Sequence, residues 1–219
     1  MTPPVHKTEI ITSLRSVDPQ EWNALNSAHS PFLRYEFLIA LENNQAVGER
    51  FGWLPRFIII RNADGILIGA MPLYEKDNSY GELVFDWAWA DAYQRHGLPY
   101  FPKLVSAIPY TPATGPRLLS RHNDPEIQQQ LIKHALTYCA DNNYSSLHCL
   151  FPTRAQLAIM QTAGMSSRTD VQYHWHNQHY ADFTDFLATL RSKKRKKIKQ
   201  ERRKVIESDV TFTVRQGNE

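Results

Sequence analysis

Four stretches of this chain put side chains close enough in sequence to do chemistry together. FDWAWADAY (85–93) sets Asp86 and Asp91 beside Trp87, Trp89 and Tyr93. A carboxylate desolvated among aromatic rings has its pKa raised, which is what a general base needs. The same rings suit the lining of an acyl or sugar pocket. The plain alternative is a strand-to-helix corner, with the tryptophans as core and Asp91 as a cap. In YTPATGPRLL (110–119) the hydroxyls of Tyr110, Thr111 and Thr114 flank Gly115, where backbone can approach a ligand, and Arg117, which can fork onto a carboxylate or phosphate. A purely structural loop competes with that reading.

QYHWHNQHY (172–180) contains Gln172, His174 and His176. On a strand, positions 174 and 176 share a face. No neighbouring Cys or acidic pattern completes a zinc set, so no metal is expected there. Polar walls of a cleft fit better, with a neutral His174 able to accept a proton near pH 7. Surface histidines are the alternative. Last comes RSKKRKKIKQERRK (191–204), in which ten of fourteen residues are Lys or Arg. Apolar or long side chains at 183, 187, 190, 194, 198, 201 and 205 keep helical phase through it. One helix with a narrow buried seam is therefore expected, its cations forming a fixed surface for phosphates or another polyanion.

Elements that position these residues follow from periodicity and caps. DPQEWNAL and PFLRYEFLIALENN read as two helices, the first capped by Asp18. PRFIIIRNADGILIGAMPLYEK reads as two strands joined at Asp64-Gly65. ELVFDWAWADAYQRHG suggests a strand running into a helix, and KLVSAIPYTPATGPRLL a strand, a loop and a short strand. A helix opens at Asp124-Pro125, SSLHCLF is a strand, and PTRAQLAIMQTAG is a helix closed by Gly164. SSRTDVQYHWHN and VTFTVRQ read as further strands. The expected class is α/β (α+β), a mixed sheet with helices on both faces.

Composition agrees with a folded body. The chain has 219 residues, 42% of them apolar, with ten Phe, ten Tyr and five Trp. Taking the ten bases and one acid of 191–204 from totals of 25 and 22 leaves 15 basic against 21 acidic residues. The body is thus acidic with one cationic segment, which argues against a duplex-DNA reader. No apolar run is long enough to span a membrane, MTPPVHKTEI lacks the apolar run of a signal peptide, and only Cys139 and Cys149 are present. A reduced, cytoplasmic setting is expected.

The run from DVQYHWHNQHY to VTFTV is similar to the segment that joins two acetyltransferase-like lobes in FemABX-type aminoacyl transferases. FDWAWADAY, YTPATGPRLL and SLHCLFPT resemble the FemAB-like predicted N-acyltransferases of the GNAT superfamily, from roughly Pro31 onward. The resemblance implies a twin-lobe GNAT fold, with residues 1–180 as the first lobe and 181–219 as the interlobe helix and opening strand of a second. It implies transfer of an acyl group from acyl-CoA or aminoacyl-tRNA to an amine, with no tightly bound cofactor. In FemABX relatives the acceptor is a peptidoglycan precursor. Asp86, Asp91 and His174 are then candidate catalytic groups. Trp87, Trp89, Tyr93, Tyr110, Thr111, Thr114, Gly115, Arg117, Gln172 and His176 are candidate substrate contacts, and Lys193, Lys194, Arg195 and Lys197 would take donor phosphates. The alternative is a non-catalytic module that binds a polyanion or a protein through the basic helix.

Overall fold

The run FIIIR is apolar at consecutive positions, so as a strand it must be covered on both faces. In the computed structural model it is β3 (Phe57–Arg61), and alternate residues enter opposite cores. Phe57 and Ile59 join Trp22, Leu25, Leu33 and Leu38. Ile58 and Ile60 join Ile127, Leu131, Ala135 and Met160. The structure describes residues 6–216 apart from Ser27 and Gln172. It divides between Arg168 and Thr169 into two compact units.

In the first unit, β1 (Lys7–Ile11), β3, β4 (Leu67–Met71) and β7 (Leu119–Ser120) form an antiparallel sheet in the order β1-β3-β4-β7. A second sheet runs β2 (Leu54–Pro55), β5 (Tyr74–Lys76), β6 (Lys103–Ser106), β8 (Leu147–Cys149), with β6 and β8 parallel. One long hairpin threads both sheets. Pro72 interrupts its ladder, and Arg56 N–H donates to Leu73 O at 2.8 Å across the interruption. Helices α1 (Pro19–Leu25) and α2 (Tyr35–Asn43) cover one face of the first sheet, and α4 (Pro125–Asp141) and α5 (Arg154–Thr162) the other. The expected α/β (α+β) class with helices on both faces of a sheet is thus observed, divided between an antiparallel sheet that carries the helices and a second sheet of mixed pairing.

Local chemistry explains the boundaries. Asp18 Oδ1 accepts from Gln20 N and Glu21 N at 2.8 and 3.0 Å, and Asp124 caps α4 through Glu126 N and Ile127 N, each with Pro at the first helical position. Gly65 turns the β3–β4 hairpin at φ +78°. The strand β1 has no counterpart among the expected elements, because KTEII shows no alternation of apolar and polar residues.

Four expectations need correction. No strand precedes α3 (Trp87–Arg95), because the segment before it is held by side chains rather than by a ladder. Neither SSRTDVQYHWHN nor 210–216 is a strand, because no neighbouring strand pairs with either among the described residues. The single helix expected from Phe183 onward is two in the second unit: α6 (Phe183–Ala188) and α7 (Ser192–Ile206). Thr189 Oγ1 donates to Phe186 O at 2.7 Å, and Arg191 takes extended geometry (φ −56°, ψ 144°) as the residue preceding α7. The break rephases the seam. Arg195 and Ile198 become half-buried, while Lys194 is exposed.

Close packing of α4 on the first sheet yields a prediction. A Cβ at Gly69 would lie 2.5 Å from Ile127 Cγ2. Gly69→Ala should therefore lower the urea midpoint at unchanged slope, by about 1–3 kcal/mol of stability. An unshifted midpoint would mean that the helix can retreat freely.

Candidate functional site

Lys103 on β6 is buried, and an ammonium there requires carboxylates. The loop between β5 and α3 supplies them. Lys103 Nζ donates to Asp86 Oδ2 at 2.6 Å, Glu82 Oε2 at 3.0 Å and Ser79 Oγ at 3.1 Å. Tyr100 O–H and Ser79 O–H also donate to Asp86 Oδ2, at 2.7 and 2.9 Å. Lys76, equally buried, stands 4.0 Å over the Trp53 ring and donates to Tyr80 O at 3.1 Å. Trp53 Nε1–H donates to the same carbonyl at 3.1 Å. Gly81 packs so tightly on Tyr110 that a Cβ would lie 2.6 Å from its ring, and Tyr110 N–H donates to Gly81 O at 3.0 Å. Each end of the loop is therefore pinned from below.

The pinned segment displays an aromatic surface. Tyr80, Leu83, Phe85, Trp87 and Trp89 are exposed around the start of α3, with Tyr80 edge-on to Trp87 at 6.1 Å. Thus Trp87 and Trp89 stand where a ligand can meet them, rather than in the core. Tyr93 packs edge-on against Tyr100 at 5.1 Å and joins this surface to the buried cluster. Asp91 is exposed and pairs with Arg95 at 3.2 Å.

Asp86 requires a correction. Burial alone raises its pKa, but hydrogen bonds from Lys103, Tyr100 and Ser79 outweigh that and leave it below the usual carboxylate range. It is an anion that fixes the loop rather than a base with a raised pKa. The raised carboxyl is its neighbour Glu82, where burial dominates over Lys103. Burial also pulls the Lys76 ammonium down to about 8. Sequence reasoning missed Lys76, Glu82, Tyr100 and Lys103, which are dispersed over four stretches. The one available signal was a lysine inside the apolar strand KLVS.

The YTPATGPRLL loop has a structural core. Arg117 is buried, and its guanidinium donates to Leu150 O, Pro116 O and Ala113 O at 2.9, 3.0 and 2.8 Å. Those donors serve the protein's own backbone, so the expected fork onto a ligand anion is not presented. Gly115 N–H bonds Phe151 O at 3.1 Å, and its Cβ position lies 3.4 Å from Arg117 Nη1. Thr111 Oγ1–H turns back onto Pro109 O at 3.1 Å, and Tyr110 O–H donates to Ala46 O at 2.8 Å. Thr114 remains exposed on the same loop.

The second unit gathers the remaining candidates. His174 and His176 rings are near-parallel, 16° apart with centroids at 6.3 Å, although no strand aligns them. Gln172 lies outside the described residues. Lys193, Lys194 and Lys197 are exposed on α7, whereas half-buried Arg195 points Nη1 toward Ala188 O at 3.5 Å. No cluster of metal-ligating residues occurs among the described residues, nor does any helix long and apolar enough to cross a membrane.

Residues 13–219 match the FemAB-like family, described as peptidoglycan biosynthesis/recognition, and the chain belongs to that family. The membership bears out the resemblance carried by FDWAWADAY and TGPRLL, and with it the acyltransferase class that the resemblance implies. Solved structures similar to the chain include the aminoglycoside 6'-N-acetyltransferase AAC(6')-Ih of Acinetobacter baumannii, at 11% identity and a TM-score of 0.45 over 79% of this chain and 99% of that one. A ribosomal-protein-alanine N-acetyltransferase of Brucella melitensis biovar Abortus 2308 has 13% identity and a TM-score of 0.43, with the same coverage. No curated protein matches significantly.

Two predictions follow from the buried cluster. Lys103→Met leaves two carboxyls without their cation, and should cost about 3–5 kcal/mol at pH 7 by urea unfolding. Part of the loss should return at pH 5, as the stranded carboxyls take up protons; an equal loss at both pH values would refute the charge argument. His148, on β8, is held neutral by burial, its pKa lowered to about 4. Because its folded pKa lies below its unfolded one, its contribution is present above pH 6.5 and is lost as pH falls toward 4. Wild type should lose on the order of 2 kcal/mol over that window, and His148→Asn should flatten the profile.

Proposed function

We propose that this protein is an acyltransferase that moves an acyl or aminoacyl group from a phosphate-bearing donor to an amine on a cell-wall precursor. The observation that carries the reading is the FemAB-like match across residues 13–219. In this reading residues 1–180 form the first lobe of a twin-lobe plan and 181–219 open the second.

Direct transfer needs a donor held by its phosphates, a path for the amine proton and no covalent nucleophile. The cysteines suit that scheme. Burial pushes the Cys149 thiol up to about 12 and raises Cys139 as well, so neither is a thiolate near neutrality. For the donor, α7 carries Lys193, Lys194 and Arg195 in its first turn, with no acidic residue there and no side-chain cap. Cations at that end oppose the helix dipole, whereas an anion there would be favoured by both the dipole and the lysines. Tyr80, Trp87 and Trp89 suit the sugar rings of an acceptor, each offering an apolar face with a polar edge. In this scheme the amine nitrogen bonds to the acyl carbonyl carbon as the donor's thioester or ester bond breaks, and His174 takes the amine proton and passes it to the departing thiol or ribose oxygen.

The test is transfer by the full chain from acyl-CoA and from charged tRNA to an amine-bearing peptidoglycan precursor, across a salt series. Lys193→Gln, Lys194→Gln and Lys197→Gln combined should raise the donor KM roughly tenfold, leave kcat unchanged, and flatten the salt dependence by about three charges. His174→Ala should lower kcat more than donor affinity. Absence of transfer from either donor would overturn the reading. The exposure of the α7 lysines would then favour a module that binds polyanions without turnover.

A further inference from the structure

Beyond α7 the chain reads DVTFTVR, from Asp209 to Arg215. Its apolar residues alternate strictly with threonine, the period of a strand with one dry face and one wet. Yet among the described residues 210–216 join no helix and no ladder. Val210, Phe212 and Val214 stand 56, 76 and 92% exposed. β-Branched and aromatic residues in alternation favour extended backbone, whose N–H and C=O groups call for a second strand. Asp209 ends the turn after α7 in the left-handed region, at φ +52°, so the run leaves the helix at a defined point.

The order of the residues selects a partner. About Phe212 the run is a palindrome in shape and a complement in charge. Laid antiparallel on a second copy, Phe212 opposite Phe212, it sets Val210 against Val214, Thr211 against Thr213 and Asp209 against Arg215, each twice. All apolar side chains then share one face of the ribbon, and the threonines and ion pairs share the other. Other arrangements lose this match. A parallel pair in the same register sets Asp209 on Asp209 and Arg215 on Arg215. A one-residue slip puts Val and Phe opposite Thr, and a two-residue slip separates Asp209 from Arg215. The basic helices make the same choice. Six residues at about 3.4 Å each hold the two α7 ends roughly 20 Å apart on an antiparallel ribbon, beyond a Debye length of about 8 Å. A parallel pair would bring nine Lys and Arg beside nine more.

We propose that 209–215 is a self-pairing strand whose partner is the same segment of a second copy of this chain, in an isologous antiparallel ribbon. Seven residues a side bury less than a standard interface, so the dimer is a reversible one that forms as concentration rises. Such pairing is independent of the transfer chemistry above and would persist without it. It is also compatible with 181–219 opening a second lobe. The opening strand of the first unit, β1, lies at the edge of its sheet, and an edge strand keeps one side for a partner.

The experiment is sedimentation equilibrium of the full chain over a concentration series, with hydrogen exchange of the Val210–Val214 amides alongside. Wild type should pass from monomer to dimer, and those amides should gain protection in step. Asp209→Arg puts cations at both ends of the run, and Arg215→Asp puts anions at both. Each variant alone should dimerise roughly tenfold more weakly, because two attractive pairs become repulsive. Mixed in equal amounts, the two should regain the wild-type affinity, since every end then meets its opposite. Phe212→Ala, at the symmetry centre, should weaken the dimer as well. All three positions are exposed, so circular dichroism should not change. A monomer throughout the series, a dimer indifferent to both charge reversals, or growth past the dimer would each overturn the inference. So would amide protection that ignores concentration, which would place the partner strand within the same chain.

Discussion

A charged lysine inside the first unit sets the terms for everything near it. The Lys103 ammonium cannot remain buried unless carboxylates reach it, and Asp86 and Glu82 both come from the chain between β5 and α3. That demand replaces the strand that local sequence suggested before Trp87 with a loop tied by side chains. It also fixes where α3 begins, because Asp86 is the residue immediately before it. Trp87 and Trp89 are then turned outward by a constraint that acts beneath them. The aromatic surface is a consequence of the buried charge, and neither is intelligible alone.

The sheet frame transmits the same constraint. β6 carries Lys103 and pairs with β5, which carries Lys76, in direct register. Two buried lysines side by side on adjacent strands would repel one another. The Trp53 ring under Lys76 and the carboxylates beside Lys103 keep them apart in role, one over an aromatic face and one in an ion cluster. Trp53, immediately before β2, comes to that place from the opposite arm of the long hairpin. Folding and site construction are thus one problem in this unit.

Much of the frame was legible in the sequence. Proline-started helices with aspartate caps, the Asp64-Gly65 turn and the doubly apolar FIIIR each carry their own local signal, and each is observed. The site was legible only in part. FDWAWADAY pointed to the right segment, but reading it locally made Asp86 a base among aromatics, whereas a lysine seventeen residues on makes it a committed anion. Arg117 failed likewise, since the carbonyls that it serves belong to Leu150, Pro116 and Ala113, and no spacing rule announces backbone acceptors. The helical stripe through 183–205 obeyed its period, but a threonine hydroxyl competing for Phe186 O broke the helix and moved the seam.

The basic helix raises a different question, which is why it is helical at all. Fifteen residues are marginal as an isolated helix in water, and α7 buries none of its residues fully. Nine like charges along it repel, with the Lys197–Glu201 pair at 3.8 Å giving slight relief because both partners are exposed. What remains, beside the half-buried Ile198, is contact with α6 through Arg195, directed at Ala188 O, and Arg202, over Phe183. Both of those contacts are made by cations. A polyanion bound along α7 would cancel the repulsion that opposes the helix, so ligand binding and helical order share one free energy. The cationic face is therefore short of charge balance within the chain itself, held as a helix by few contacts against a repulsion spread along its length.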